Sequence, residues 1–211
     1  MTIKAVIFDL GGVLVRTEFP EVRQRLEEKL GFAPGTVDRA VWGGEDWELA
    51  QIGRISYEEY WRRVGTALGF STPQEIADFR REYFSGDRLD QELVSLIKEL
   101  RPRYKIGLLS NAPDRLETWL EEEWAIKGLF DAIVYSAKAG LAKPDHSMFH
   151  LILRQLDVAP SESLFIDDFP RNIDAAEALG LQTIRFTNTK ALRDELQRHL
   201  AAGAEDSELR G

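Results

Sequence analysis

The opening stretch MTIKAVIFDLGGVLV (residues 1–15) sets two apolar runs, AVIF and VLV, on either side of Asp-Leu-Gly-Gly. AVIF is apolar at every position instead of alternating, the pattern of a strand buried on both faces of a sheet. It ends on Asp9, and Gly11 and Gly12 then let the chain turn. A carboxylate at the exit of a buried strand marks the edge of an open sheet where ligands bind.

Further short β-type runs, most of them continuously apolar, follow at Lys105–Asn111, Asp131–Ser136, Ser163–Asp168 and Gln182–Thr187. Amphipathic helical patterns separate them. Asp114–Trp124 aligns Leu116, Leu120 and Trp124, and Asp145–Leu156 aligns Phe149, Ile152 and Leu156. Asn172–Leu179 stops at Gly180, a C-terminal cap, and Lys190–Ala202 aligns Leu192, Leu196 and Leu200. Alternating strands and helices predict an α/β fold, a Rossmann-like parallel sheet with helices on both faces.

Residues 16–88 read differently. They show no convincing strand and several helix starts. Pro20–Leu30 is amphipathic, and Ser56–Glu59 and Thr72–Glu75 are capping boxes, the second with Pro73 at the first helical position. The expected organisation is a core of 1–15 and 89–204, an inserted all-helical domain of 16–88, and a frayed tail of 205–211.

The chain has 211 residues, 44% hydrophobic, a net charge of −9 and a pI near 5.0. Such an acidic balance argues against a nucleic-acid partner, which calls for a basic face. No stretch reaches the length of a membrane span, and Asp9 interrupts the early apolar run that a cleavable signal would need. The absence of cysteine rules out disulfides and thiolate metal sites. A cytoplasmic protein, monomer or homodimer, is the expectation.

The polar residues gather where the strands end. The first run ends on Asp9, the second on Ser110 and Asn111, and the fourth on Asp167 and Asp168; the loop after the third carries Lys143. Carboxylates brought close together repel unless a cation sits among them. Oxygen donors without histidine or cysteine favour Mg²⁺. A serine, an amide and a lysine around such a cation make a phosphate site.

FDLGGVL (8–14), LLSNA (108–112), LAKPD (141–145) and FIDDFPRN (165–172) together resemble, in order, the four motifs of the haloacid dehalogenase superfamily. The insertion resembles that family's helical cap. The resemblance implies a Mg²⁺-dependent phosphatase acting on a small, sugar-phosphate-like metabolite through an aspartyl-phosphate. It implies Asp9 as nucleophile, Ser110 and Lys143 as catalytic groups on the phosphoryl oxygens, and Asn111 as a further substrate ligand. It implies metal ligation by Asp9, the Gly11 carbonyl and Asp168, with Asp167 beside them.

The chain departs from the family at Gly11, where most of its phosphatases carry a second aspartate as general acid/base. An Asp-Leu-Gly start is similar to the α-D-glucose-1-phosphate phosphatase branch. Three other readings compete: a metal-independent 2-haloacid dehalogenase, a phosphomutase, and a non-catalytic phosphate- or metal-binding regulatory module. His146 and His150, four apart, read as surface residues for want of a third ligand. Trp42, Trp47 and Trp61 read mainly as the core of the helical insertion.

Overall fold

A computed structural model describes residues 2–208, with side chains to residue 200. β1 (Ala5–Phe8) is followed by β2 (Val15–Thr17) and a run of helices: α1 (Glu21–Leu30), α2 (Thr36–Trp42), α3 (Glu45–Gln51), α4 (Tyr57–Ala67) and α5 (Pro73–Tyr83). Next come β3 (Asp87–Leu89), α6 (Gln91–Leu100), β4 (Lys105–Ser110), the short α7 (Leu116–Thr118), β5 (Ala132–Tyr135) and α8 (Ser136–Ala139). The chain continues through α9 (His146–Leu156), β6 (Ser163–Asp167), α10 (Pro170–Ala178), β7 (Gln182–Arg185) and α11 (Thr189–Glu208).

β5, β4, β1, β6 and β7 form one sheet in that order, and every pairing is parallel. The non-alternating runs are explained by helices on both faces. Val6, Phe8, Ile106, Leu108, Leu164 and Ile166 point to the face covered by α6, α7 and α11. Ala5, Ile7, Leu109 and Phe165 point to the face covered by α9 and α10. Burying each large aliphatic or aromatic side chain contributes about 1.5–3 kcal/mol.

The helices α1–α5 hold a separate hydrophobic cluster around Leu26, Tyr60, Trp61, Val64, Phe79 and Tyr83. Thr72 and Glu75 form the full capping box expected at the start of α5. At α4 only half of the expected box forms. The Ser56 hydroxyl accepts from the Glu59 backbone, but the Glu59 carboxylate turns to Arg62 and Arg63, at 2.7 Å from each. Two guanidinium partners outcompete one backbone amide for an exposed carboxylate.

The insertion is not purely helical. β2 and β3 pair antiparallel, matching Arg16 with Arg88 and Thr17 with Asp87, so a two-stranded ribbon joins the helical group to the sheet. Each strand is three residues long and half-buried or exposed, so neither carries a local pattern. Arg23 of α1 fastens to this ribbon through Thr17 and Asp87.

The expected helix 114–124 also differs. Only α7 is α-helical, and Trp119–Glu123 winds as a π-helix, closed by Trp124 N–H donating to the Trp119 carbonyl. The wider turn lets Leu120 enter the sheet core while Trp119 also packs on the helical group. α11 extends beyond the expected end at Ala202. Of the expected tail, residues 209–211 lie outside the described residues.

Candidate active site

β1 is the centre of the sheet. The chain leaves it toward β4 and β5 on one side, then crosses to β6 and β7 on the other. Crevices therefore open at the carboxyl end of β1, between connections that run in opposite directions. Asp9 follows β1 directly, and its N–H donates to the Ile166 carbonyl at 2.9 Å, which binds it to the end of β6. Ser110 ends β4 and Asp167 ends β6, both buried.

Lys143 comes from the loop before α9. Its side chain is 1% exposed, unusual for a lysine, and the ammonium sits 2.9 Å from Asp9 Oδ1 and 2.7 Å from Asp167 Oδ2. Its backbone is fixed as well. Lys143 N–H donates to Asn111 Oδ1 at 2.7 Å, and Asn111 Nδ2 donates to the Lys143 carbonyl at 3.0 Å. The Asn111 amide thus acts as one rung of a β-ladder. Where sequence suggested a substrate ligand, the structure has this amide engaged at both ends.

Asp167 is saturated. Oδ1 accepts from Phe169 N–H at 2.8 Å and from Asn172 Nδ2, while Oδ2 accepts from Lys143 and from the same Asn172 nitrogen. Asn172, in the first turn of α10, was not singled out from sequence; the only available signal was its place in FIDDFPRN. Its Oδ1 is buried without a protein partner.

Asp168 is half-buried and faces the turn after Asp9. Gly12 has φ +79°, and a Cβ there would overlap the Asp168 carboxylate. Glycine is required at this position both for its backbone and for the approach it permits. Gly11 is unlike its neighbour: its φ is not in the left-handed region, and a Cβ there would meet no atom within 4 Å.

Carboxylate oxygens of Asp9, Asp167 and Asp168 lie within 4.8 Å of one another. Burial pushes the Asp9 carboxyl up to about 7, with Lys143 pulling it down and Asp167 adding to the rise. Burial and the Asp167 charge also push Asp168 up. Burial works against the Lys143 charge, but Asp9 and Asp167 outweigh it and hold the ammonium above its ordinary range. Three carboxylates share one ammonium, so the cluster is short of positive charge. The all-oxygen donor set fits a hard divalent cation such as Mg²⁺.

The helical group rests over this edge of the sheet. Tyr57 N–H donates to Asp114 Oδ1 at 3.1 Å, the Tyr57 ring meets Trp119 with centroids 5.2 Å apart, and Gly53 lies against the Ala137 carbonyl. Trp61 is buried in that group, Trp47 is half-buried, and Trp42 is 42% exposed. His146 and His150 both lie on the exposed side of α9.

A doubly wound α/β sheet with carboxylates and a buried lysine at its switch point places ionisable groups where ligands bind in sheets of this kind. Residues 3–180 match the haloacid dehalogenase-like hydrolase family, and the chain belongs to it. It is 32% identical to sesquiterpene phosphatase astK of Aspergillus oryzae, across 93% of this chain and 96% of that protein. It is 30% identical to D-ribitol-5-phosphate phosphatase of Bacteroides thetaiotaomicron, across 92% and 97%. Its fold matches the family enzyme bt-2542 of the same bacterium, crystallised with magnesium and inorganic phosphate, at a TM-score of 0.72 and 23% identity over 88% of this chain and 94% of that one. Among the described residues, no helix is long and apolar enough to cross a membrane.

Proposed function

We propose that the protein is a Mg²⁺-dependent phosphomonoesterase acting on a small phosphorylated metabolite through an aspartyl-phosphate. The observation that carries this reading is the buried Lys143 ammonium bridging Asp9 and Asp167, with Asp168 beside them. The full-length likeness to two phosphatases supports it.

Asp9 is the nucleophile. Lys143 orients its carboxylate and, with Ser110, holds the phosphoryl oxygens. Asp9, Asp168 and the Gly11 carbonyl would hold the metal. Asp167 has both oxygens engaged by protein donors and acts from behind, aiming Lys143. Asn111 fixes the backbone from which Lys143 reaches in. When bound, Mg²⁺ neutralises the phosphoryl oxygens so that an anionic nucleophile can approach. Residues 16–88 serve as a cap that excludes bulk water and selects the substrate.

A dehalogenase would use an aspartate without metal, and a regulatory module would bind without turnover. Purified protein is assayed against p-nitrophenyl phosphate, sugar phosphates including α-D-glucose 1-phosphate, and 2-chloropropionate, with Mg²⁺ and with chelator. Phosphate release that needs Mg²⁺ and disappears in Asp9→Asn is expected. Chloride release in chelator, or binding of phosphate with no turnover, would establish one of the other readings.

A further inference from the structure

Four large apolar side chains stand exposed among the described residues: Phe19, Trp42, Leu141 and Phe169. Phe19 and Trp42 belong to the helical insertion. Leu141 and Phe169 belong to the two loops that carry the site. Phe169 directly follows Asp168, and Leu141 precedes Lys143 by two residues, within about 7 Å along the backbone. Phe169 is 53% exposed, and neither side chain enters any of the three hydrophobic clusters. Core packing therefore does not account for them. Scattered apolar residues are common on protein surfaces, but these two flank one crevice.

Their place in the fold puts them at the open side of that crevice. Leu141 lies ahead of α9 and Phe169 ahead of α10, neighbouring helices on one face of the sheet. The insertion is fastened on the other face. Arg16 and Thr189 both bind Asp90, which caps α6, at the point where the ribbon meets the core. Tyr57 reaches Asp114 and Trp119, and Gly53 meets Ala137, which packs in the cluster beneath α6, α7 and α11. The crevice above Asp9 is thus closed toward α6 and α11 and opens toward α9 and α10, across Leu141 and Phe169.

We infer that this lip carries the alcohol part of the substrate, and that this part is an apolar hydrocarbon body and not a polyol; the inference rests on the phosphomonoesterase reading above. With the phosphoryl group held at Asp9, Lys143 and Ser110, the rest of the ester has to leave the crevice over these two side chains. The polar groups of the two loops are committed elsewhere. Lys143 is bound to Asp9 and Asp167, Asp145 accepts from Ser147 N–H at 2.8 Å in the first turn of α9, and Asp167 accepts from Lys143, Phe169 N–H and Asn172. Arg171 lays its guanidinium over the Phe169 ring, 5.6 Å from the centroid. Sugar hydroxyls resting on the lip would exchange water for apolar carbon at a cost, whereas methylenes gain by leaving water.

The test uses primary alkyl phosphates from ethyl to octyl with saturating Mg²⁺, because their leaving oxygens have nearly the same pKa and the esters differ in apolar length. kcat/KM should rise about two- to fourfold per methylene until the chain passes Phe169, fourfold corresponding to full burial. Hexyl phosphate should be preferred to glucose 6-phosphate by about tenfold or more. Phe169→Ser and Leu141→Ser should each flatten the rise, and Phe169→Leu should keep it. Both positions are exposed, so an unchanged Tm should accompany all three variants. A chain-length dependence that is absent, or that survives both serine variants, overturns the inference. So does a natural dimer that the serine variants convert to monomer with the dependence intact, since a second copy of the chain would then cover the lip. These outcomes leave the phosphomonoesterase reading standing, whereas no hydrolysis of any ester removes that reading and the inference with it.

Discussion

The Lys143 ammonium lies 2.9 Å from Asp9 Oδ1, both groups are buried, and the carboxyl is nevertheless held up to about 7. Burial and the neighbouring Asp167 charge together exceed what one lysine returns. Ionising Asp9 in this cluster therefore carries a cost, which a divalent cation among the carboxylates would relieve.

That cost depends on pH. The Asp9 carboxyl ionises near its ordinary value of 3.8 in the unfolded chain and near 7 in the folded one. Between these values the folded state holds a proton that the unfolded state has lost, so this group's contribution makes stability fall as pH rises, and the penalty is complete above about pH 7. Asp9→Asn removes it. In chelator, the Tm of Asp9→Asn minus that of the natural protein should increase from pH 5 to pH 8. Adding Mg²⁺ at pH 8 should raise the natural protein's Tm more than the variant's. A Tm difference that is independent of pH would contradict this account. The same variant should lose turnover by at least about 10³-fold if Asp9 is the nucleophile proposed above.

The two acids at the end of β6 should separate by what they disturb. Asp168 is half-buried and makes no salt bridge among the described residues, whereas Asp167 anchors Lys143 and Asn172. Asp168→Ala should weaken Mg²⁺ binding more, as read by calorimetric titration. Asp167→Ala should lower the Tm more, by the equivalent of about 3 kcal/mol, because it takes one of two partners from a buried ammonium. The opposite order in both measurements would exchange their roles.

Asn111 holds Lys143 by its backbone, so its removal should misplace the ammonium without removing a substrate contact. Asn111→Ala is expected to lower kcat by up to about 10²-fold, the scale of a one-ångström displacement. KM should change little, since uniform binding is not lost. A raised KM at constant kcat would show that Asn111 binds substrate after all.

Gly12→Ala should reduce Mg²⁺ affinity and stability together, because its Cβ collides with Asp168 and its backbone must stay left-handed. Gly11→Ala should fold with an unchanged Tm. Equal Tm losses for the two variants would contradict the difference in space around them.

Residue order alone pointed to the parallel sheet, since short apolar runs such as AVIF and LFI, alternating with helical patterns, suit strands covered on both faces. It also determined which polar residues stand at the carboxyl edge, because Asp9, Ser110 and Asp167 each end or directly follow such a run. What it did not carry are relationships between residues distant in the chain. The β2–β3 ribbon pairs three-residue strands that have no periodicity of their own. The Asn111 amide closes on the Lys143 backbone, and Asn172 closes on Asp167, through pairs of hydrogen bonds that leave no pattern in composition or spacing. Adjacent glycines look identical in sequence, yet only at Gly12 does another part of the fold, the Asp168 carboxylate, come close enough to forbid a side chain. Periodicity reports which face of an element is buried; the identity of the atoms that meet there is set only when the sheet brings its strand ends together.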